Sequence, residues 1–150
     1  YPDDVLRRLD FVIGAVHDGL RQDAKHMTPR VLRAIEHPAL RVLAHPTGRL
    51  LLTRPPIKLD VDALLSHAAA HDTALEVNAN PYRLDLDWRF HAKARQEGVT
   101  LALGVDAHDL RGLAEASHGL NVLRKGLVSP EQVVNTWTTE ALVAWLKPRT

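Results

Sequence analysis

The sequence contains no cysteine, so neither a disulfide framework nor a thiolate metal site is available to it. Any bound metal would have to rest on imidazole, carboxylate and other hard donors. Long apolar runs are also missing. No segment approaches the length that spans a bilayer, and no secretory apolar stretch opens the chain, so the expectation is a cytoplasmic protein with no membrane partner. Neither sign of charge dominates: 19 basic residues face 18 acidic ones, a formal net charge of +1. Global charge therefore predicts no nucleic-acid affinity and leaves only a local basic patch as an electrostatic route to it. There is no GxGxxG, no Gly-rich phosphate loop and no Ser/His/Asp order, so nucleotide cradling and serine-nucleophile chemistry are unsupported. Repeats, low-complexity tracts and domain boundaries are absent too. With 150 residues, 45% hydrophobic and 25% charged, the chain reads as one domain, 1–150, with a real core. It begins at Tyr1 rather than Met, which suggests a piece of a longer protein.

What is present is a repeated shape, an apolar run ending abruptly in polar residues. Residues 11–16 run into His17-Asp18-Gly19; 41–44 into His45-Pro46; 73–77 into Asn78-Ala79-Asn80-Pro81; and 101–105 into Asp106-Ala107-His108. Helical patterns separate them. A short one lies in 1–10, with Pro2 in its first turn and Val5, Leu6 and Leu9 on one face. A polar loop, 20–27, carries Arg21, Lys25 and His26. Thr28-Pro29 is expected to start the next helix, with Val31, Leu32 and Ile35 facing inward. After the irregular segment 47–59, Asp60 caps a helix with Val61, Leu64, Leu65 and Ala68 on one face. A further helix, from about Asp87 to Glu97, stops at Gly98. Beyond Leu110 the chain reads as short helices. Ser129-Pro130-Glu131-Gln132 is written as a capping box, and Thr138 caps the last helix, which packs Leu142, Val143 and Leu146. Strand alternating with helix implies an α/β fold with a parallel sheet, either open or part of a β/α barrel.

In a parallel sheet the four run ends lie along one edge, where α/β proteins bind ligands. They carry His17, His45, the Asn78/Asn80 pair, and Asp106 with His108. Imidazole plus carboxylate suits zinc, manganese or iron. A metal there could activate water near neutral pH and neutralise phosphate charge. Each histidine alone reads equally as a loop residue; their common register is what singles them out. If 104–108 stays extended, Asp106 and His108 point the same way. Asn78 and Asn80 either orient a ligand or serve as turn residues. Glu76 faces the interior of a barrel or supports the site from behind. Among the loop cations Arg49 and Arg83 are the candidates for phosphate contacts, with solvated loop residues as the alternative. His67, His71 and His91 fall inside helical patterns and read as packed or solvated helix histidines. His26 is at most a substrate contact.

Val16-His17, Leu43-Ala44-His45-Pro46-Thr47-Gly48-Arg49-Leu50, Glu76-Val77-Asn78-Ala79-Asn80-Pro81-Tyr82-Arg83-Leu84-Asp85 and Asp106-Ala107-His108 together resemble the PHP (polymerase and histidinol phosphatase) domain, and most of all its form at the C-terminus of bacterial family X DNA polymerases. The resemblance implies a distorted (β/α)7 barrel with a trinuclear manganese or zinc site. It also implies a metal-dependent phosphoesterase with 3′–5′ exonuclease action on DNA 3′ ends, working beside the polymerase core of the same chain. By motif His17 and His45 would share one metal, Asp106 would bind a second and His108 a third; Asp106 and His108 are the residues expected to carry catalysis. Asn78, Asn80, Arg49 and Arg83 match the active-face loops. The family's upstream H-x-H, Asp, His and bridging Glu have no counterpart in this sequence. A chain of only these residues is therefore expected to be catalytically impaired, with both sheet edges and part of its core uncovered. Two alternatives stand beside this one. The chain could be a free-standing PHP phosphatase on a small phosphomonoester such as histidinol phosphate, or a non-catalytic scaffold that stabilises a polymerase core.

Overall fold

The computed structural model describes residues 1–147. The apolar runs form β1 (Val12–Gly14), β2 (Leu40–Leu43), β3 (Ala74–Asn78) and β4 (Leu101–Gly104), one parallel sheet in the order β1-β2-β3-β4. Parallel neighbours cannot be joined by a hairpin, so each connection crosses over through helix. α2 (Ala24–Ile35) links β1 to β2, α3 (Val61–Ala70) links β2 to β3, and a 3-10 turn (Trp88–Phe90) with α4 (His91–Gln96) links β3 to β4. α5 (Ala116–Lys125) and α6 (Thr139–Leu146) follow the sheet, and α1 (Asp3–Leu6) precedes it. The α/β class and the alternation read from the sequence are both present.

Two faces share the core according to strand alternation. Leu43, Leu75, Val77 and Leu101 pack on Met27, Val31 and Ile35 of α2, Leu64, Leu65 and Ala68 of α3, and Val122 and Leu123 of α5. Val42, Ala74 and Ala102 point the other way, toward Val134 and Trp145. Every residue of β3 is buried, as expected of an inner parallel strand covered on both sides. β4 is not the open edge that the sequence suggested. Asn135 closes it: Leu103 N–H donates to its Oδ1 at 2.7 Å, and its Nδ2 donates back to Leu103 O at 3.0 Å. Val133 bridges Leu101 beside it. On the β1 side Ile13 remains 59% exposed.

Several boundaries differ from the sequence reading. α2 begins at Ala24, not at Thr28, and holds Pro29 in its interior. Met27 lies four residues before Val31 and is fully buried, so the extra turn is what brings it under the sheet. Thr28 Oγ1 instead accepts the N–H of Asp60, 3.0 Å away. α1 is a single turn with no buried residue. Ser129 starts only a 3-10 turn, because Val133 is already extended and paired with Leu101. Asp60 and Thr138 cap as expected, accepting from Ala63 N and Ala141 N. Gly98 takes the left-handed φ of +76° that a helix-ending glycine permits.

Candidate active site

β1, β2 and β3 deliver their ends side by side. His17 follows β1 and is exposed; His45 follows β2 and is buried. Their Nε2 atoms face each other at 3.4 Å. Tetrahedral ligands on a metal–nitrogen bond of about 2.0–2.1 Å stand about 3.4 Å apart, so this pair has the spacing of two ligands of one ion. Without an ion the same contact closes through one shared N–H. His45 Nδ1 is buried and has no hydrogen-bond partner.

His45 is held by backbone rather than by its ring. Its φ of +30° lies in the left-handed region that a β-carbon disfavours. Its N–H donates to Glu76 Oε2 at 2.5 Å, and the same oxygen accepts from Asn78 Nδ2 at 3.1 Å. Glu76 faces away from α2, α3 and α5, on the sheet face that Trp145 covers, as strand alternation requires. It has room there because the neighbouring strand carries Gly104, where a β-carbon would stand 2.0 Å from Glu76 Oε1. Burial pushes the Glu76 carboxyl up from its ordinary value. For His45, burial first and the nearby Arg83 guanidinium second hold the imidazole below the usual histidine range. The ring is thereby kept neutral, the form that binds metal.

The fourth strand end differs from the extended D-x-H expected. Asp106 takes a φ of +51°, so it and His108 do not project as i and i+2 of a strand. His108 is exposed, and its Nδ1 lies 2.7 Å from the Asp106 carbonyl oxygen. Asp106 Oδ2 instead pairs with Arg83 Nε at 3.3 Å. Among the described residues, no third histidine, aspartate or glutamate donor joins His17 and His45 within 4.8 Å. The residues present thus fit one ion through two imidazoles; Asp106 is near enough for its charge to act on His45, while His108 contacts the Asp106 carbonyl.

The 78–87 loop shows what turn chemistry does here. Asn78 is fully buried, with Nδ2 on Glu76 and Oδ1 accepting from Asn80 N at 3.0 Å. Asn80 Oδ1 in turn accepts from Tyr82 N at 2.9 Å. Arg49 is engaged throughout: Nε donates to Arg83 O at 2.7 Å, and the two terminal nitrogens reach Leu84 O and Asp87. As placed, Asn78 and Arg49 shape the loop rather than present themselves to a ligand. Arg83 keeps terminal donors available: among the described residues the one contact they make is a long one to Arg49 O at 3.5 Å. Asp87 is held well below the usual carboxylate range by its pairing with Arg89, supported by Arg49.

One brace was not anticipated from sequence. Thr47 donates to Asp85 twice, from its N–H at 2.9 Å and from Oγ1 at 2.8 Å. That ties the His45 loop to the 78–87 loop. The only signal for it was a hydroxyl and a carboxylate within two otherwise distinctive segments. Burial pushes the Asp85 carboxyl up to about 6 against the bonds from Thr47. A folded value above the ordinary 3.8 means that the fold favours the protonated acid. This stabilisation is complete below pH 3.8, falls as pH rises to about 6 and is gone above it; over that interval it is worth about 3 kcal/mol. Urea unfolding at pH 4, 5, 6 and 7 is expected to give a wild-type stability that declines relative to Asp85→Asn. Parallel pH curves for the two proteins would show that Asp85 does not titrate in this way.

No protein-family model matches the chain. Curated relatives do. The chain is 37% identical over 147 residues to the DNA polymerase/3′-5′ exonuclease PolX of Bacillus subtilis, covering 98% of this chain and 26% of that protein. It is 30% identical over 149 residues to a probable phosphatase of Syntrophotalea carbinolica, covering 89% of this chain and 57% of that protein. A probable phosphatase of Caldicellulosiruptor bescii is 25% identical over 156 residues, covering 97% and 61%. The chain thus spans about a quarter of the polymerase and less than two thirds of the phosphatases.

Proposed function

We propose, from its similarity to PolX and to these phosphatases, that the chain is a PHP-family segment and contributes the strand-end half of a metal-dependent phosphoesterase site acting on DNA 3′ ends. The observation that carries this reading is the pair of facing Nε2 atoms of His17 and His45, 3.4 Å apart at adjacent strand ends. An ion held there, zinc or manganese by its nitrogen and oxygen donors, would supply Lewis acidity toward a phosphate oxygen and a nucleophile from water. Donors from outside the described residues would complete the coordination, in keeping with the trinuclear site expected for the family.

The chain's own residues do the rest. Glu76 fixes the backbone of His45, and burial keeps that imidazole free of a competing proton. Arg83 holds Asp106 and offers its terminal N–H groups to phosphate oxygens, as a guanidinium does well. Arg49, Asn78 and Asn80 keep the loop that presents Arg83 in place. Asp106 and His108 stand at the fourth strand end as the remaining ligand candidates, each with a lone pair directed by a local contact. In this reading the protein is cytoplasmic and works with a polymerase core; among the described residues no helix is long and apolar enough to cross a membrane.

The phosphatase relatives support a second substrate class, a small phosphomonoester. With Mn2+ or Zn2+ present, a 5′-labelled oligonucleotide and histidinol phosphate are offered to the chain and to any longer polypeptide that carries it. The polymerase-related reading predicts shortening of the oligonucleotide from its 3′ end. Turnover of the phosphomonoester alone would replace it with the phosphatase reading.

A further inference from the structure

Two helices end at the sheet edge opposite the strand-end site. α2 leads into β2 and α3 into β3, so both present their C-termini at the N-terminal edge of the sheet. Glu36 is the C-terminal cap of α2; His71 caps α3, and His67 lies one turn earlier. One ligand atom from each of Glu36, His67 and His71 lies within 4.8 Å of the other two. His67 Nε2 stands 3.3 Å from Glu36 Oε1, close to the separation of two ligands on one tetrahedral ion. The two imidazole rings lie with centroids 4.4 Å apart and their planes tilted by 39°.

We propose that Glu36, His67 and His71 form a separate binding site for a zinc-class divalent cation on the outer surface of the α2–α3 pair. Three features favour a cation over a plain surface ion pair. His67 Nε2 is shut off from water yet makes no well-aligned hydrogen bond in the structure, an arrangement that leaves a lone pair or a proton unsatisfied. A carboxylate at a helix C-terminus lies against the negative end of the helix dipole, and here two such ends converge, so a positive charge is what the position lacks. The spacing of His67 and His71, one helical turn apart, puts both rings on one face, while Glu36 comes from a different helix. A bound ion would therefore clamp α2 to α3. Two imidazoles and one carboxylate, with water in a fourth position, are a donor set that zinc accepts and magnesium does not favour.

The test is calorimetric titration of Zn2+ into the chain carrying His17→Ala, Asp106→Ala and His108→Ala, which leaves His45 as the one remaining ligand candidate at the strand ends. One equivalent is expected to bind, to raise the melting temperature, and to lose at least about 100-fold in affinity when His67→Gln and His71→Gln are added. No zinc-dependent binding in the first protein, or binding that survives the loss of both helix histidines, would overturn the proposal. Should the strand-end substitutions prevent folding, the total zinc content of the wild-type chain is compared with that of His67→Gln/His71→Gln. A drop of one equivalent supports the site, and equal content refutes it. Both readouts are independent of phosphoesterase activity, so failure here leaves the strand-end reading intact, and the reverse also holds.

Discussion

Replacing His17 with alanine in an active polypeptide that carries this chain is expected to cost the phosphoesterase activity at least about 100-fold, the upper end of what even an outer-shell partner of a metal costs, while leaving the fold unchanged. The contrast follows from exposure. His17 is on the surface, and among the described residues its ring makes its hydrogen-bond and ring contact with His45 alone. Its removal opens no cavity and strands no buried group beyond the one nitrogen facing it. Surface substitutions of this kind change stability by no more than about 0.5 kcal/mol. His45 is the poorer choice for the same question, because its backbone and burial make it part of the loop structure as well. Activity measured together with urea unfolding checks the prediction. A fully active His17→Ala protein would remove the histidine pair from the site.

Arg49→Ala is expected to act in the opposite way, on the fold first. The guanidinium is nearly enclosed and bonds Arg83 O, Leu84 O and the Asp87 carboxylate, which is itself 8% exposed. Truncation leaves two carbonyls and part of a buried carboxylate without donors. Arg89 continues to hold Asp87 through two bonds of 2.9 Å, which softens the loss. Breaking a buried pair by removing one partner costs about 3–5 kcal/mol, and the surviving Arg89 contacts place this case near 3. Lysine is not an adequate replacement, since a single ammonium cannot reach three acceptors set in a fork. Urea unfolding of both variants gives the answer. A loss below about 1 kcal/mol, the scale of an exposed ion pair, would show that the 78–87 loop stands without this clamp.

The positions of the strand ends were legible because burial on both sheet faces forces continuous apolar runs, and the first polar residue after each run marks where the chain leaves the sheet. That logic located His17, His45, Asn78 and Asp106. It failed where the backbone turns. The Asp106–His108 spacing suggested a shared direction, yet a left-handed φ at Asp106 separates the pair, and no periodicity signals such a turn. Arg49 looked like a loop cation suited to a phosphate, and Asn78 like a residue that either orients a ligand or makes a turn. Sequence could not show that Asp87 and two carbonyls occupy the first, or that complete burial closes off the second. Thr28-Pro29 carried a good start signal, but the burial of Met27 outweighed it. At the far end of the sheet the His67/His71 spacing was visible as one helical turn. Glu36 lies 31 residues earlier than His67, and only the packing of α2 on α3 brings it to the same point.

The most direct measurement is the Mn2+-dependent release of nucleotides from the 3′ end of a 5′-labelled DNA, comparing wild-type protein with Asp106→Ala/His108→Ala, each checked by circular dichroism and for bound metal. Loss of both nuclease activity and metal at the strand ends, with the spectrum unchanged, is the result expected if Asp106 and His108 join His17 and His45 in one phosphoesterase site. Undiminished nuclease activity in the folded double variant would contradict it and leave the strand-end cluster as a structural feature of the sheet edge.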